Sequence, residues 1–189
     1  ALRSLPEGES SLKIHPNALG SKLTHPSITT DYSENLLEFI TGVNKDTNDL
    51  LNELVNLQAF TQNNIGNELI WPASMPCGLP IDNEIPLAYY GESNVGKLKT
   101  LYRNGLGHRY GRQMQSIAGV HYNFSLSDSY WEYLQKVTKS SKTIREIKDE
   151  KYFSLIRNFH RNKWILMYLF GASPVVDKSF LSGRIHSLE

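Results

Sequence analysis

Residues 113–125, which read Gln-Met-Gln-Ser-Ile-Ala-Gly-Val-His-Tyr-Asn-Phe-Ser, carry the alternation that most constrains how this chain can fold. Successive side chains of a strand point to opposite faces. One face would then be mainly apolar, with Met114, Ala118, Val120, Tyr122 and Phe124. The other face would carry Gln115, Gly119, His121 and Asn123. We therefore predict an antiparallel strand that packs helices with its apolar face. Its polar face either lines a binding cavity or lies in solvent.

A second segment, Ile28–Thr41, places three carboxylates in a mostly apolar sequence, at Asp31, Glu34 and Glu38. The residue types allow a strand, in which Glu34 and Glu38 share a face, or a helix, in which all three carboxylates do. Clustered carboxylates are costly to desolvate unless a cation compensates them, and without one their repulsion raises their pKa values. A metal site and a solvated face both fit the pattern.

Hydrophobic periodicity and capping residues predict four helices. The first runs from about Asp46 to Ile65 and stops at Gly66, and the second is a basic helix from Asn94 to Tyr110. A third begins at Ser127 or Asp128, and the fourth extends from Lys151 to Phe170 before Gly171 and Pro174. The apolar run of residues 164–170 is too short to cross a membrane, so we expect a buried helix end.

The segment Gly91–Leu98 comes close to the phosphate-binding pattern G-x-x-x-x-G-K-[ST]. The match fails at Leu98, where a hydroxyl residue would be needed to hold Mg²⁺. A P-loop nucleotidase is therefore a weaker alternative, and we predict a loop that leads into the basic helix.

The amino-acid composition limits the kinds of molecule that we expect this chain to bind. The chain has 189 residues, with 20 Lys and Arg against 19 Asp and Glu, for a net charge of +1. This balance predicts neither a nucleic-acid partner nor an anionic membrane surface. Cys77 is the single cysteine, which fits a reducing, cytoplasmic compartment. The chain starts at Ala1 without an initiator methionine, so we expect a piece of a longer protein.

Several motifs together resemble one family. They are L-T-H-P-x-I-T-T-D-Y-S-E-x-L-L-E-F-I-T of residues 23–41, S-M-P-C of residues 74–77, Y-G-x-S-N-x-G of residues 90–96, K-T-L-Y-R of residues 99–103, M-Q-x-I-x-G-V-H-Y-N-F-S of residues 114–125 and Y-L-F-G-A-S-P of residues 168–174. In this order they closely resemble the proteobacterial type of glutamate-cysteine ligase, also called γ-glutamylcysteine synthetase. The resemblance covers nearly the whole chain.

The resemblance implies an α+β fold similar to that of glutamine synthetase, with a curved, mainly antiparallel sheet and packing helices. It implies that Mg²⁺ and ATP bind on the concave face of that sheet. By position, the metal ligands would be Asp31, Glu38 and His121. The cysteine pocket would include Tyr32, Tyr102, Leu106 and Gln115, and an arginine near the substrates would be Arg103. Carboxylates suit Mg²⁺, whereas imidazole is a less usual ligand for it.

The implied reaction is ATP-dependent ligation of the γ-carboxylate of glutamate to cysteine, which gives γ-glutamylcysteine, the first step of glutathione biosynthesis. Residues 1–189 would form a partial catalytic domain, truncated at both ends, and the enzyme would act as a monomer on small-molecule substrates. The alternative is a folded fragment without catalytic activity, or a binding domain.

Overall fold

Short antiparallel strands and four long helices make up residues 2–171 and 175–181, the part of the chain that this computed structural model describes. The strands are β1 (Arg3–Ser4), β2 (Ile28–Thr30), β3 (Leu37–Phe39) and β4 (Leu69–Ile70). The helices are α1 (Thr47–Asn64), α2 (Asn94–Tyr110), α3 (Asp128–Thr138) and α4 (Ile144–Phe170). Short 3₁₀ turns occur at Asn17–Leu19, Asp82–Glu84, Met114–Ser116 and Lys178–Leu181. The predicted α+β class is confirmed, although the strands form two two-stranded sheets rather than one broad curved sheet.

The described chain divides into two compact units, Ala1–Gly119 with Val176–Glu189, and Val120–Val175. In the first unit, β1 pairs with β4, and β2 pairs with β3 in a hairpin in which Thr29 lies opposite Glu38. A bridge between Leu2 and Leu36 connects the two sheets.

Two apolar clusters hold the first unit together. One consists of buried Leu19, Ile28, Leu37 and Ile65, so that α1 packs against the β2–β3 hairpin. The other contains Leu2, Tyr32, Leu36, Leu79 and Phe180, with Leu106 of α2 packed against it. The hairpin therefore lies between α1 and α2, and this arrangement positions its turn.

The second unit consists of α3 and α4. Trp131 of α3 is buried against Tyr152 of α4, with ring centroids 5.0 Å apart, and its indole N–H donates to the Leu126 carbonyl at 3.3 Å. Ile147 is also buried, so α3 covers the first turns of α4.

The end of α4 differs from the prediction. The helix begins at Ile144, seven residues before the predicted start, and its apolar run of residues 164–170 is 41 to 84% exposed rather than buried. The eleven-residue α3 is too short to cover a helix of 27 residues. Gly171 ends the helix as predicted, whereas Pro174 lies outside the described residues. Within the described residues, no helix combines the length and hydropathy needed to span a membrane.

Candidate active site

The segment that carries the three acidic residues is a hairpin, not the continuous strand or helix that the sequence predicted. Its turn is closed by the Asp31 N–H, which donates to the Leu36 carbonyl at 2.9 Å. Asp31 is exposed in this turn, and Glu38 is half-buried in β3. Both carboxylates are therefore accessible on the hairpin.

Glu34 lies inside the protein, which corrects the prediction that it shares a face with Glu38. Its carboxylate accepts hydrogen bonds from the N–H groups of His15 and Tyr89, both at 2.8 Å, and pairs with the Lys22 ammonium. Burial alone would raise the pKa of Glu34, but these donors outweigh burial and lower it. The expected upward shift from carboxylate repulsion is wrong for this residue, because Lys22 compensates its charge.

The loop before α2 begins the helix and does not form a phosphate cradle. The Ser93 side chain caps α2 by accepting from the Gly96 N–H at 3.1 Å. Gly96 packs so closely that an added Cβ would lie 2.6 Å from the Tyr90 carbonyl oxygen. Lys97 points to an exposed ion pair with Glu92 at 3.0 Å. These contacts support the rejection of a P-loop, and α2 has the predicted bounds.

Tyr90 connects α2 with the hairpin. Its hydroxyl lies 3.1 Å from the Thr30 side-chain oxygen and 3.1 Å from the Asp31 carbonyl oxygen. Its ring lies 4.5 Å from the Arg103 guanidinium carbon and 5.0 Å from the Lys99 amine nitrogen. We call these five residues the hairpin–α2 junction.

Arg103 closes this junction, since its Nε donates to the Asp31 carbonyl and its Nη1 to the Lys99 carbonyl at 3.0 Å. Within the described residues, Nη2 of Arg103 and the Lys99 amine have no hydrogen-bond partner. Arg103 and Lys99 are two cations close to the accessible carboxylates of Asp31 and Glu38. The cations can bind an anionic group, and the carboxylates can bind a metal cation next to it.

The predicted substrate residues differ in exposure. Tyr102 is 64% exposed on α2, and Leu106 packs against the apolar cluster around Tyr32. Tyr32 itself is only 2% exposed. Burial raises the pKa of its hydroxyl, which is buried without a hydrogen-bond partner among the described residues.

The predicted central strand over residues 113–125 is wrong. Met114, Gln115 and Ser116 form a 3₁₀ turn, and residues 117–127 have no regular structure. The face predicted to pack on helices is largely exposed, with Val120 at 89% and Tyr122 at 71%. A strand needs a partner strand for its backbone groups, and in this segment the Ala118 N–H instead donates to the Ser74 carbonyl at 2.9 Å.

The expected metal ligands come from both compact units of the part of the chain that the structure describes. Asp31 and Glu38 belong to the first unit, and His121, which is exposed, belongs to the second. No group of three or more His, Cys, Asp or Glu able to hold a metal occurs among the described residues. The hairpin supplies two oxygen donors of the kind that Mg²⁺ prefers, and further ligands are needed.

Sequence reasoning missed several residues that organise the first unit. Arg3 is fully buried and pairs with Glu68 at 2.6 Å, and Lys22 neutralises Glu34. These partners are 65 and 12 residues apart, so no local pattern indicates them. Gln113, rather than Gln115, is the buried glutamine, and its side chain donates to the Pro80 and Ser179 carbonyls at 3.1 and 2.9 Å.

Comparison with known proteins identifies the family. The family model described as glutamate-cysteine ligase matches residues 1–189. The chain belongs to the glutamate-cysteine ligase family. Among curated relatives named glutamate–cysteine ligase, it is 54% identical to that of Saccharophagus degradans over 97% of this chain, and 57% identical to that of Hahella chejuensis over 93%.

Solved structures of related proteins agree with this assignment. A crystal structure of glutamate–cysteine ligase from Francisella tularensis in complex with AMP matches 94% of this chain with a TM-score of 0.84 and 41% identity. A bifunctional glutathione synthetase from Pasteurella multocida matches 92% with a TM-score of 0.83 and 31% identity. The chain spans about a third of the curated glutamate–cysteine ligases and of the Francisella structure, and 22% of the Pasteurella one.

Proposed function

We propose that this chain is part of the catalytic domain of an enzyme that ligates the γ-carboxylate of glutamate to the amine of cysteine, with ATP as co-substrate. The family match over residues 1–189 supports this reaction, and the AMP complex of the Francisella relative supports the use of an adenine nucleotide. The hairpin–α2 junction carries the proposal structurally, because it brings Arg103 and Lys99 to the turn that holds Asp31.

Each expected residue has a role in this proposal. Asp31, Glu38 and His121 would hold Mg²⁺, which supplies charge neutralisation for the transferring phosphoryl group when bound. Arg103 holds its guanidinium at the turn through the Asp31 carbonyl and presents Nη2 to an anionic substrate group. The cysteine pocket would comprise Tyr32, Tyr102, Leu106 and Gln115.

The proposed reaction has two steps. ATP phosphorylates the glutamate γ-carboxylate, and the cysteine amine then displaces phosphate from the acyl phosphate, giving γ-glutamylcysteine, ADP and phosphate. Arg103 and Lys99 stabilise negative charge beside the turn, where half-burial strengthens their attraction relative to open solvent. The chain's contribution is thus mainly preorganised charge.

We also propose that the enzyme is a cytoplasmic monomer whose partners are small molecules, without nucleic-acid or membrane partners. The near balance of 20 basic and 19 acidic residues supports the lack of nucleic-acid and membrane partners, and the single cysteine, Cys77, fits a reducing compartment. Sedimentation of the longer protein that contains this chain should give one monomeric species, whose sedimentation coefficient does not change when duplex DNA is added.

The test is ATP- and Mg²⁺-dependent formation of γ-glutamylcysteine by that longer protein. We expect His121→Ala to lower the rate about 100-fold or more, as loss of a charge-stabilising group does. Lys97→Ala should leave the rate within about twofold, because the ion pair of Lys97 with Glu92 is exposed to solvent. Loss of nucleotide binding in Lys97→Ala, with nucleotide binding spared in His121→Ala, would instead support a P-loop nucleotidase.

A further inference from the structure

One close contact between α2 and the hairpin occurs at a glycine, Gly107. A Cβ added to Gly107 would lie 2.5 Å from the Tyr32 hydroxyl oxygen and 3.4 Å from Cγ of Arg112. An ordinary van der Waals contact of a Cβ begins at 3.4 Å, so even one methyl group would require a movement of about 1 Å. Gly107 has no positive φ, so the need for glycine at this position is one of space.

Tyr32 has little room to move away from this contact. Its ring belongs to the cluster of Leu2, Leu36, Leu79 and Phe180, and the residue is 2% exposed. Its backbone carbonyl accepts from the Ala88 N–H at 3.1 Å, which fixes the main chain behind the ring. In a densely packed interior, such a side chain cannot shift without moving its neighbours. An added methyl group would therefore displace α2 instead.

The contact also fixes the functional face of α2. Residues four apart lie next to each other on a helix, so Gly107 is the neighbour of Arg103. Arg103 bonds to the carbonyl of Asp31, and Gly107 contacts the side chain of Tyr32, the next residue in the same turn. Two adjacent positions of α2 thus rest on two adjacent positions of the hairpin.

We propose that Gly107 is a positioning residue, whose missing side chain lets the Tyr32 hydroxyl rest on the α2 backbone and so sets where Arg103 meets Asp31. This inference rests on the proposed function. Displacing α2 by about 1 Å would move Arg103 from the turn, and misplacement of this size is sufficient to reduce catalysis about 100-fold.

The experiment is a double-mutant cycle in the longer protein, with Gly107→Ala, Tyr32→Phe and both changes together. The Phe variant removes the oxygen that the new methyl would strike. We expect Gly107→Ala to lower kcat/KM at least tenfold in the wild-type background, well below the melting temperature, and less than threefold in the Tyr32→Phe background. Gly105→Ala is the matched control on the same helix, since its Cβ would meet no atom within 4 Å, and it should change kcat/KM less than twofold.

The melting temperatures of the same four proteins give a readout independent of activity. Gly107→Ala should lower the melting temperature, and Tyr32→Phe should restore most of that loss. An effect of Gly107→Ala that is equally large in both backgrounds, or kcat/KM within twofold of wild type for Gly107→Ala, would overturn the proposal. Absence of ligase activity in the unmodified protein would contradict the proposed function, while the melting cycle would still test the contact.

Discussion

At the scale of single residues, buried charge in this protein is compensated by partners that lie far away in the sequence. The Glu34 carboxylate pairs with the Lys22 ammonium and accepts hydrogen bonds from two backbone N–H groups. The side chains of Lys22 and Glu34 are only 16% and 4% exposed, so the pair is nearly removed from solvent. His15 lies beside this group and is 6% exposed, and neither ring nitrogen has a hydrogen-bond partner among the described residues. Burial, together with nearby Lys22 and Arg3, lowers the pKa of His15.

This environment makes stability depend on pH in a defined direction. Because the pKa of His15 is lower in the folded state than its ordinary value of 6.5, the unfolded state binds more protons between the two values. The free energy of unfolding should therefore fall as the pH drops below about 6.5. Glu34, whose folded pKa also lies below its ordinary 4.5, adds a second loss at more acidic pH.

We predict that His15→Phe flattens the pH dependence of stability between pH 7 and 5.5. Phenylalanine keeps a planar aromatic ring and the backbone N–H that serves Glu34 but cannot be protonated. Urea unfolding of both proteins at several pH values measures the effect, with the exposed histidine variant His108→Phe as the control. A wild-type protein equally stable at pH 7 and 5.5, or an unchanged slope in His15→Phe, would contradict this account.

At the scale of secondary-structure elements, local signals predicted the helices well. The bounds of α2 agree with the prediction, α1 begins after the Asp46 cap, and α3 follows Ser127. The start of α4 was missed, although the sequence carries a readable signature. The Thr143 hydroxyl accepts from the Glu146 N–H at 3.3 Å, and the Glu146 carboxylate accepts from the Thr143 N–H at 2.8 Å. A Thr with a Glu three residues later, just before an amphipathic segment, is the sequence signature of a helix start.

The Thr143 cap should stabilise the start of α4. Thr143→Ala should reduce the stability of the α3–α4 unit by about 1 kcal/mol, because the Glu146 N–H loses its acceptor. Amide hydrogen exchange across the first turn of α4 should accelerate by about fivefold, the equivalent of that free energy. Ser141→Ala, an exposed change two residues earlier, is the control. Equal exchange rates in the two variants would show that the cap does not hold the helix start.

The elements that the sequence did not predict depend on distant contacts. Alternation over residues 113–125 is a necessary condition for a half-buried strand, but a partner strand is needed as well, and the described residues provide none for this segment. Likewise, the composition of Ile28–Thr41 did not reveal the turn, which is held by distant backbone partners. The Arg3 N–H donates to the Asn35 carbonyl at 2.8 Å, and the Glu34 N–H donates to the Pro86 carbonyl at 2.8 Å. Tertiary contacts therefore determine the conformation of these two segments.

At the scale of the whole molecule, the first unit brings two cations to the turn of the hairpin. Asp31, Arg103 and Lys99 meet at the hairpin–α2 junction. The predicted roles of the metal and substrate residues stay predictions. The chain spans about a third of its curated relatives, and the apolar end of α4 is exposed. Residues 1–189 alone are accordingly expected to lack ligase activity, because an incomplete ligand set cannot position the phosphoryl group.

The most direct test of the central claim, that the hairpin–α2 junction belongs to the active site of a glutamate-cysteine ligase, is kcat for γ-glutamylcysteine formation by the longer protein carrying Glu38→Gln. Glutamine keeps the size of the side chain and removes the charge that would hold Mg²⁺. Glu53→Gln on α1, where the carboxylate only accepts from Gly42 and Asn44, is the matched control. We predict that kcat falls about 100-fold or more in Glu38→Gln and stays within about twofold in Glu53→Gln. Equal activity of the two variants would contradict the assignment of the site.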